Sequence, residues 1–544
     1  MQFNLADLFE AIATAVSERP CIICRGRHRT FAEVDERSGR LAAFLATSGL
    51  CVERERGDLE PWESGQSHVA LYLHNSPAYL ESMLGAYKAR AVPFNVNYRY
   101  VEDELLYLLR DAGAHAVIYH AQFAPLLASV RAALPGLRVL VQVSDDSGHE
   151  LLPGAVDYDE VMASPHAEEL PSGRSPDDLY MLYTGGTTGM PKGVLWRQSD
   201  IFMAALGGMR HGMGAYESVE EVVEVARGGG ARYLPAPPFM HGAAHWAAFN
   251  AFHAGNTVVI QDDSVRFDAH DIWSTVERER VQILLIVGDA FARPLLDQLA
   301  RHSYDLSTLA LVVTGGAPLS PELKARLLEH LPGASVFDAI GSSETGSQAV
   351  NVSTKATGVS TGTFMPQPGN CVLDAACERV LEPGSDEMGW FAKGGHVPLG
   401  YLGDPDKTRR TFPAVSGQRY AVPGDRARHL ADGMIQVLGR DSVTINSGGE
   451  KIFAEEVEQA VKRHAAVYDA IVVGRPSERW GQEVVALVSV VEGATVEEAD
   501  LLEECARHLA RYKLPKAVLF LDEIVRSPSG KPDYRWAKQV AETV

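Results

Sequence analysis

The chain has 544 residues, 46% hydrophobic and 22% charged, enough for two or three packed cores and too apolar for a disordered or low-complexity protein. Its 50 basic and 71 acidic side chains give a formal charge of -21, which opposes nonspecific attraction to nucleic acid or anionic lipid. A phosphate-bearing ligand must therefore find its donors locally. No apolar run approaches membrane-spanning length.

The first twenty residues, MQFNLADLFEAIATAVSERP, carry acidic groups and no basic leader segment, so they read as an amphipathic helix of a cytoplasmic protein. The 6 cysteines are scattered, and the close pair Cys21 and Cys24 lacks a second pair at ligand spacing; they read as reduced, packed thiols. Residues 51–67, CVERERGDLEPWESGQS, are charged and turn-rich and read as a surface excursion. The apolar run HVALYL (68–73) predicts a strand, and a helix follows with Ser76 as N-cap, Pro77 at its first position, and Leu80, Met83, Leu84 and Tyr87 on one face. With AVPFNV after it, this is a βαβ unit. The pattern recurs as QILLIV (282–287), a helix through ARPLLDQLARH, LALVVTGG (309–316), and a helix capped by Ser320 and Pro321.

Near Arg440 the character changes. A helix over 455–464, strands in DAIVVG and EVVALVSVV, a helix over 496–510 and a strand in AVLFLDEI describe a compact α+β unit. The expected organisation is an α/β chain with a large domain of layered βαβ sheets at 1–439 and a small, mobile α+β domain at 440–544.

YTGGTTGMPKGV (183–194) crowds glycines, threonines and one lysine between two strand-like segments. Glycines let backbone amides converge on an anion, and Thr hydroxyls and a lysine add donors, so the loop suits a polyphosphate. It is not a Walker A loop, because Lys192 precedes Gly193 rather than Ser or Thr. A plain hairpin turn is the alternative from these residues alone.

Six further segments occur with this loop in a fixed order: PPFMHGAAHW (237–246), GGAP (315–318), IGSSETG (340–346), YAVPGD (420–425), LGRDSVTINSGGEKIFAEEVE (438–458) and SPSGKPDYRWAK (527–538). Together they resemble the adenylate-forming acyl-CoA synthetases, the group that also includes luciferases and peptide-synthetase adenylation domains, over essentially the whole chain. The wording is most similar to the actinobacterial branch acting on steroid side chains and other bulky or long acids.

The resemblance implies ATP, Mg2+ and coenzyme A, with two half-reactions in one site. The carboxylate first attacks the α-phosphorus and expels pyrophosphate; a thiol then displaces AMP. By the same resemblance, Thr184, Gly185, Gly186, Thr187, Thr188, Gly189 and Lys192 cradle phosphate, and Glu344, with Ser343 beside it, holds the magnesium. Gly315, Gly316 and Ala317 pack on adenine, and Asp425 and Arg440 hold the ribose. Lys531 bridges the attacking carboxylate and α-phosphate. His241 orients the carboxylate or gates its passage, and Trp246, Gly288 and Gly341 shape the acyl pocket. Ser447, Gly448 and Gly449 line the pantetheine channel after the small domain turns about Arg440–Val443. Gly185, Ile340 and Ala454 stand where many relatives have Ser, an aromatic residue and Pro, and the usual acidic hinge position reads Ser442-Val443.

Three functions stay open at this point: a complete acyl-CoA ligase, an enzyme performing mainly the thioester step, and a nonenzymatic nucleotide- or acyl-binding protein. A carrier-protein thiol in place of CoA and a homodimeric assembly also stay open. No nucleic-acid partner and no integral membrane segment are expected.

Overall fold

The run of apolar residues at His68–Tyr72 becomes the second strand of a parallel sheet in the order Val92–Asn95, His68–Tyr72, Ala114–His120, Val139–Val143, Val156–Asp157. These coordinates, a computed structural model, describe residues 2–164, 173–184, 190–210, 214–447, 450–527 and 530–543. A second sheet runs in parallel through Pro20–Cys24, Thr257–Ile260, Arg232–Pro235, Ile283–Ile286, Leu311–Gly315 and Ser335–Ser342. It then continues in antiparallel fashion through Gly346–Ser353 and Thr363–Pro366 to Ile435–Arg440 and then Asp425–His429. Both βαβ units expected from the sequence are present.

The helix Pro77–Lys88 departs from the expected one-sided pattern: every residue from Ala78 to Lys88 is buried, because it lies between layers. Its two charges are paired there. Glu81 accepts from Arg37 Nε at 2.9 Å and Tyr158 Oη at 2.7 Å and also pairs with Arg29, while Lys88 donates to Asp35 Oδ1 at 2.7 Å. Pro77 occupies the first helical turn as expected, but neither Ser76 nor Ser320 makes a side-chain capping bond. The 51–67 excursion is pinned by Arg90, which joins Glu55 at 2.9 Å and the buried Asp178 at 2.8 Å. Cys51 is exposed, so close packing does not describe all the thiols.

After Arg440 a separate antiparallel sheet forms from Ile445–Ser447, Glu450–Ile452, Val467–Ser477 and Gly481–Val490, with Ala517–Phe520 parallel to the last. It has apolar clusters on both faces. Ala454–Lys462 and Glu498–Ala506 cover one and Tyr534–Thr543 the other. The second of these helices is shorter than the expected 496–510. Among the described residues, no helix is long and apolar enough to cross a membrane.

Candidate active site

Several of the residues expected at the site sit at the carboxyl ends of the parallel strands, the usual ligand position in such sheets. Asn95, ending its strand, accepts from Tyr183 N at 2.8 Å and donates to Tyr183 O at 2.9 Å and Met240 O at 2.7 Å. One amide thus ties the glycine-rich hairpin to the His241 segment. The hairpin strands Leu179–Thr184 and Lys192–Arg197 pair in register, Thr184 opposite Lys192. Gly185, Gly186, Thr187, Thr188 and Gly189, at its tip, lie outside the described residues. Lys192 is committed to Asp111 at 3.0 Å. Burial lowers its pKa, but the hydrogen bond and charge of Asp111 outweigh that and hold it above the usual value.

Glu344, Asp425, Arg440 and Lys531 share one electrostatic neighbourhood. Asp425 and Arg440 face each other across paired strands, and Arg440 Nε donates to Asp425 Oδ1 at 3.1 Å. The Arg440 pKa is raised, first by Asp425. Tyr401 Oη donates to Glu344 Oε1 at 2.7 Å, and the Lys407 ammonium sits 4.1 Å from the Tyr401 ring centre. Burial depresses Lys407, with Glu344 opposing.

Lys531 has protein on several sides. Its pKa is lowered, mainly by desolvation and then by Arg440, while Glu344 and Asp425 pull it upward. Its Cε lies 3.7 Å from where a Cβ on Gly316 would stand, and Gly316 has φ +84°, so a side chain there is strained and pressed toward the lysine. Gly315 and Ala317 flank it at the end of the strand Leu311–Gly315. Gly288 has φ +50°, and a Cβ would fall 2.3 Å from Pro318 O; the turn that opens the helix Gly288–Arg301 needs glycine. A Cβ on Gly341 would lie 2.1 Å from Gly346 O. Ser343 contributes its carbonyl to Trp196 Nε1 at 2.9 Å.

His241 precedes the helix Gly242–His253, and its Nε2 is buried without a hydrogen-bond partner in the protein. Burial, then Lys531, His245 and Arg99, push its pKa down to about 3, so the ring is neutral at physiological pH. Neutral, it offers one N–H donor and one acceptor nitrogen to a carboxyl group, but it is not an imidazolium acid. Trp246 is fixed differently: its Nε1 donates to Tyr180 Oη at 2.7 Å, Tyr180 is bonded to His245 Nε2, and His245 Nδ1 meets Phe239 O at 2.7 Å.

Ser447 is buried in the small sheet opposite Gly481, while Gly448 and Gly449 lie outside the described residues. Asp441–Val443 forms a single tight turn, with Asp441 Oδ1 accepting from Arg426 Nε at 2.9 Å. Next to it, Glu455 accepts from Arg440 N at 3.3 Å through Oε1, whereas its Oε2 is buried and unpartnered. Burial, then Glu458, raises its pKa to about 7. Gly439, at φ +136°, makes room for it, since a Cβ there would be 2.6 Å from Glu455 Oε2.

Asn95, Asp111, Tyr401 and Glu455 were not singled out from the sequence. Each acts through a partner distant in the chain, so no local spacing announces it. A polar Asn at the end of an apolar strand and an extra Glu in FAEEVE were the only local signs.

Comparison with known proteins identifies the family. The AMP-binding enzyme family matches residues 9–402, and the AMP-binding enzyme C-terminal domain matches residues 456–531. A medium-chain acyl-CoA ligase, Mig, of Mycobacterium avium is 52% identical over 541 residues, 99% of this chain and 98% of that protein. A 3-oxocholest-4-en-26-oate–CoA ligase of Rhodococcus rhodochrous is 40% identical over 550 residues, 99% of this chain and 96% of that one. ATP-bound MatB of Rhodopseudomonas palustris has the same fold, with a TM-score of 0.82 at 23% identity over 100% of this chain and 99% of that chain. The chain belongs to the AMP-binding enzyme family, among its adenylate-forming acyl-CoA ligases.

Proposed function

We propose that this enzyme activates a bulky or long-chain carboxylic acid, steroid- or terpenoid-like, as an acyl-adenylate and transfers the acyl group to CoA. The observation that carries the reading is the placement of Lys531 beside Gly316 at a strand end, with the bonded Arg440–Asp425 pair and Glu344 in the same electrostatic neighbourhood and His241 under the influence of Lys531. Adenylation develops negative charge on phosphoryl oxygens, and fixed cations in a poorly solvated cleft stabilise it without reorganising. Lys531, held where solvation of its ammonium is incomplete, has an electrostatic reason to engage an anion there. The Asp425–Arg440 pair offers a carboxylate to ribose hydroxyls and a guanidinium beside it. Gly315, Gly316 and Ala317 leave the backbone open to a flat base. His241, neutral, presents an acceptor or a donor nitrogen to a carboxyl group without adding charge.

Mg2+, which the family uses, fits the donor set. Among the described residues, no group of three or more His, Cys, Asp or Glu side chains could hold a metal unaided. Glu344 has one oxygen engaged by Tyr401, and Mg2+ is commonly bound by one or two carboxylates together with phosphate oxygens and water. When bound, it neutralises charge on the phosphates.

In the second half-reaction the CoA thiolate displaces AMP. Lys531 serves the first step, and the loop at Ser447, Gly448 and Gly449 serves the second. We read residues 440–544 as a body that turns on Arg440–Val443 relative to 1–439 between the two steps. The enzyme is placed in the cytoplasm, where ATP and CoA are available, and light scattering would show whether it is a dimer.

Acid-dependent ATP/pyrophosphate exchange followed by CoA-ester formation tests the activity. The cholestenoate-ligase relative favours polycyclic acids, while the 52% relative favours a second reading, medium-chain fatty acids. A panel of straight-chain, aryl, steroid and terpenoid acids separates the two. Higher kcat/KM for polycyclic acids supports the first; preference for short or medium straight chains overturns it.

A further inference from the structure

The turn carrying Lys531 is held through a line of charged groups that ends on the other domain. Within the turn, Ser527 N donates to Lys531 O at 2.9 Å and Gly530 N to Ser527 O at 2.8 Å. Arg526 closes it from the side: its Nη1 donates to Gly530 O at 3.0 Å, and its Nε and Nη2 donate to Asp469 at 2.6 and 2.7 Å. Lys462 lies 3.2 Å from Asp469 Oδ1 and 3.6 Å from Asp289 Oδ2. Asp289 lies in the first turn of the large-domain helix Gly288–Arg301. Its Oδ1 accepts from Ser320 N at 2.7 Å and its backbone N donates to Pro318 O at 3.1 Å, beside Gly316 and Ala317.

Asp289, Lys462 and Arg526 line one crevice between the two bodies, together with Ala317, Glu455 and Glu458. Both ends of the Lys462 bridge are shielded, with side-chain exposures of 10% for Lys462 and 10% for Asp289, so the attraction is screened far less than at the surface. The contact is tight at the turn itself: a Cβ on Gly530 would lie 2.8 Å from Ala290 Cβ. Farther along the same helix, Arg293 lies 5.0 Å from the centre of the Tyr468 ring.

We propose that Asp289 and Lys462 are positioning residues for adenylation: their interdomain ion pair, relayed through Asp469 and Arg526, seats the Lys531 turn against the nucleotide-binding strand ends. The pair acts only while the small domain is docked in this orientation. The Lys462 ammonium lies between the carboxylates of Asp469 and Asp289, so removing it leaves the shielded Asp289 without this cation, while removing the Asp289 charge cancels the interdomain attraction and leaves Lys462 on Asp469; either change weakens the docked state. The arrangement gives the first half-reaction a support that the second does not use. The inference rests on Lys531 serving adenylation, as proposed above.

Asp289→Asn keeps the acceptor for Ser320 N and removes only the charge; Lys462→Met removes the ammonium. Each is expected to lower kcat for acid-dependent pyrophosphate exchange about tenfold, with CoA transfer from supplied acyl-AMP within about twofold of wild type. Lys462→Arg should restore exchange, and the double variant should be no worse than either single one, because both changes remove one interaction. Hydrogen exchange of the peptide containing 526–533 supplies a readout independent of catalysis and should quicken in Asp289→Asn and Lys462→Met. Unchanged exchange protection overturns the latch, as does an equal fall in both half-reactions. If wild type shows no acid-dependent exchange with any acid, the proposed function fails, and the hydrogen-exchange comparison still decides whether the pair seats the turn.

Discussion

Glu455→Gln isolates a buried carboxyl at the junction of the two bodies. Burial and the neighbouring Glu458 raise its pKa and one oxygen has no partner, against backbone hydrogen bonds from its own N–H and from Arg440 N. Asp425 also raises its pKa, while Arg440, whose own pKa Glu455 helps to raise, lies on the facing strand. A shift from the ordinary 4.5 to about 7 corresponds to about 3 kcal/mol between the two protonation states. The folded state therefore holds a proton that the unfolded state releases. Stability from this group is complete below pH 4.5, declines as pH rises, and is lost once pH passes about 7. Glutamine is neutral throughout and carries a fixed cost for any unpaired amide hydrogen. Calorimetric melts of both proteins between pH 4.5 and 8.5 should show the variant gaining on wild type by up to about 3 kcal/mol across that window and levelling off above it. A difference that does not vary with pH, or that favours wild type increasingly as pH rises, would refute the assignment of a proton to this site.

Three other outcomes are expected. Lys531→Ala should slow acid activation by about two orders of magnitude or more, the usual effect of removing a transition-state donor, while rapid-quench assays show CoA transfer from supplied acyl-AMP intact; equal loss in both steps would count against its role. Ser442→Pro fixes φ inside the turn Asp441–Val443 and should slow the thioester step at least about tenfold more than adenylation, measured as single turnovers with circular dichroism confirming the fold. Tyr401→Phe removes the donor to Glu344, and titration of the ATP dependence of exchange should show KM raised about tenfold, consistent with about 1.5 kcal/mol for one hydrogen bond to a charged group; an unchanged KM would mean that Tyr401 only packs.

The alternation of apolar runs and capped helices made the layered α/β architecture legible, because strand length, Pro77 and the helical periodicities are local signals. Ordered glycine-rich and charged segments also pointed to Glu344, Asp425, Arg440 and Lys531, which the fold brings together. Burial of Glu81 and Lys88 was not legible, because it depends on Arg29, Arg37, Tyr158 and Asp35 arriving from other elements. Ser76 and Ser320 show a limit of another kind: cap positions were correct, yet their side chains make no capping bond. Lys192 was expected at phosphate and is held by Asp111, a partner 81 positions away.

With Trp246 as a wall of the acyl pocket, as the sequence resemblance implies, the Trp246–Tyr180–His245 chain has a consequence for any attempt to enlarge the substrate range. Cutting Trp246 down to Ala would strip Tyr180 of one hydrogen-bonding neighbour in a fully enclosed setting, so the space gained would come with a loosened wall. A route through Gly242 is closed as well, since any side chain there would press on Leu182 at 2.9 Å and on Trp246 at 3.2 Å. Engineers seeking to admit wider acids would do better to replace Trp246 with His or Gln, which can keep a donor facing Tyr180 while shortening the ring.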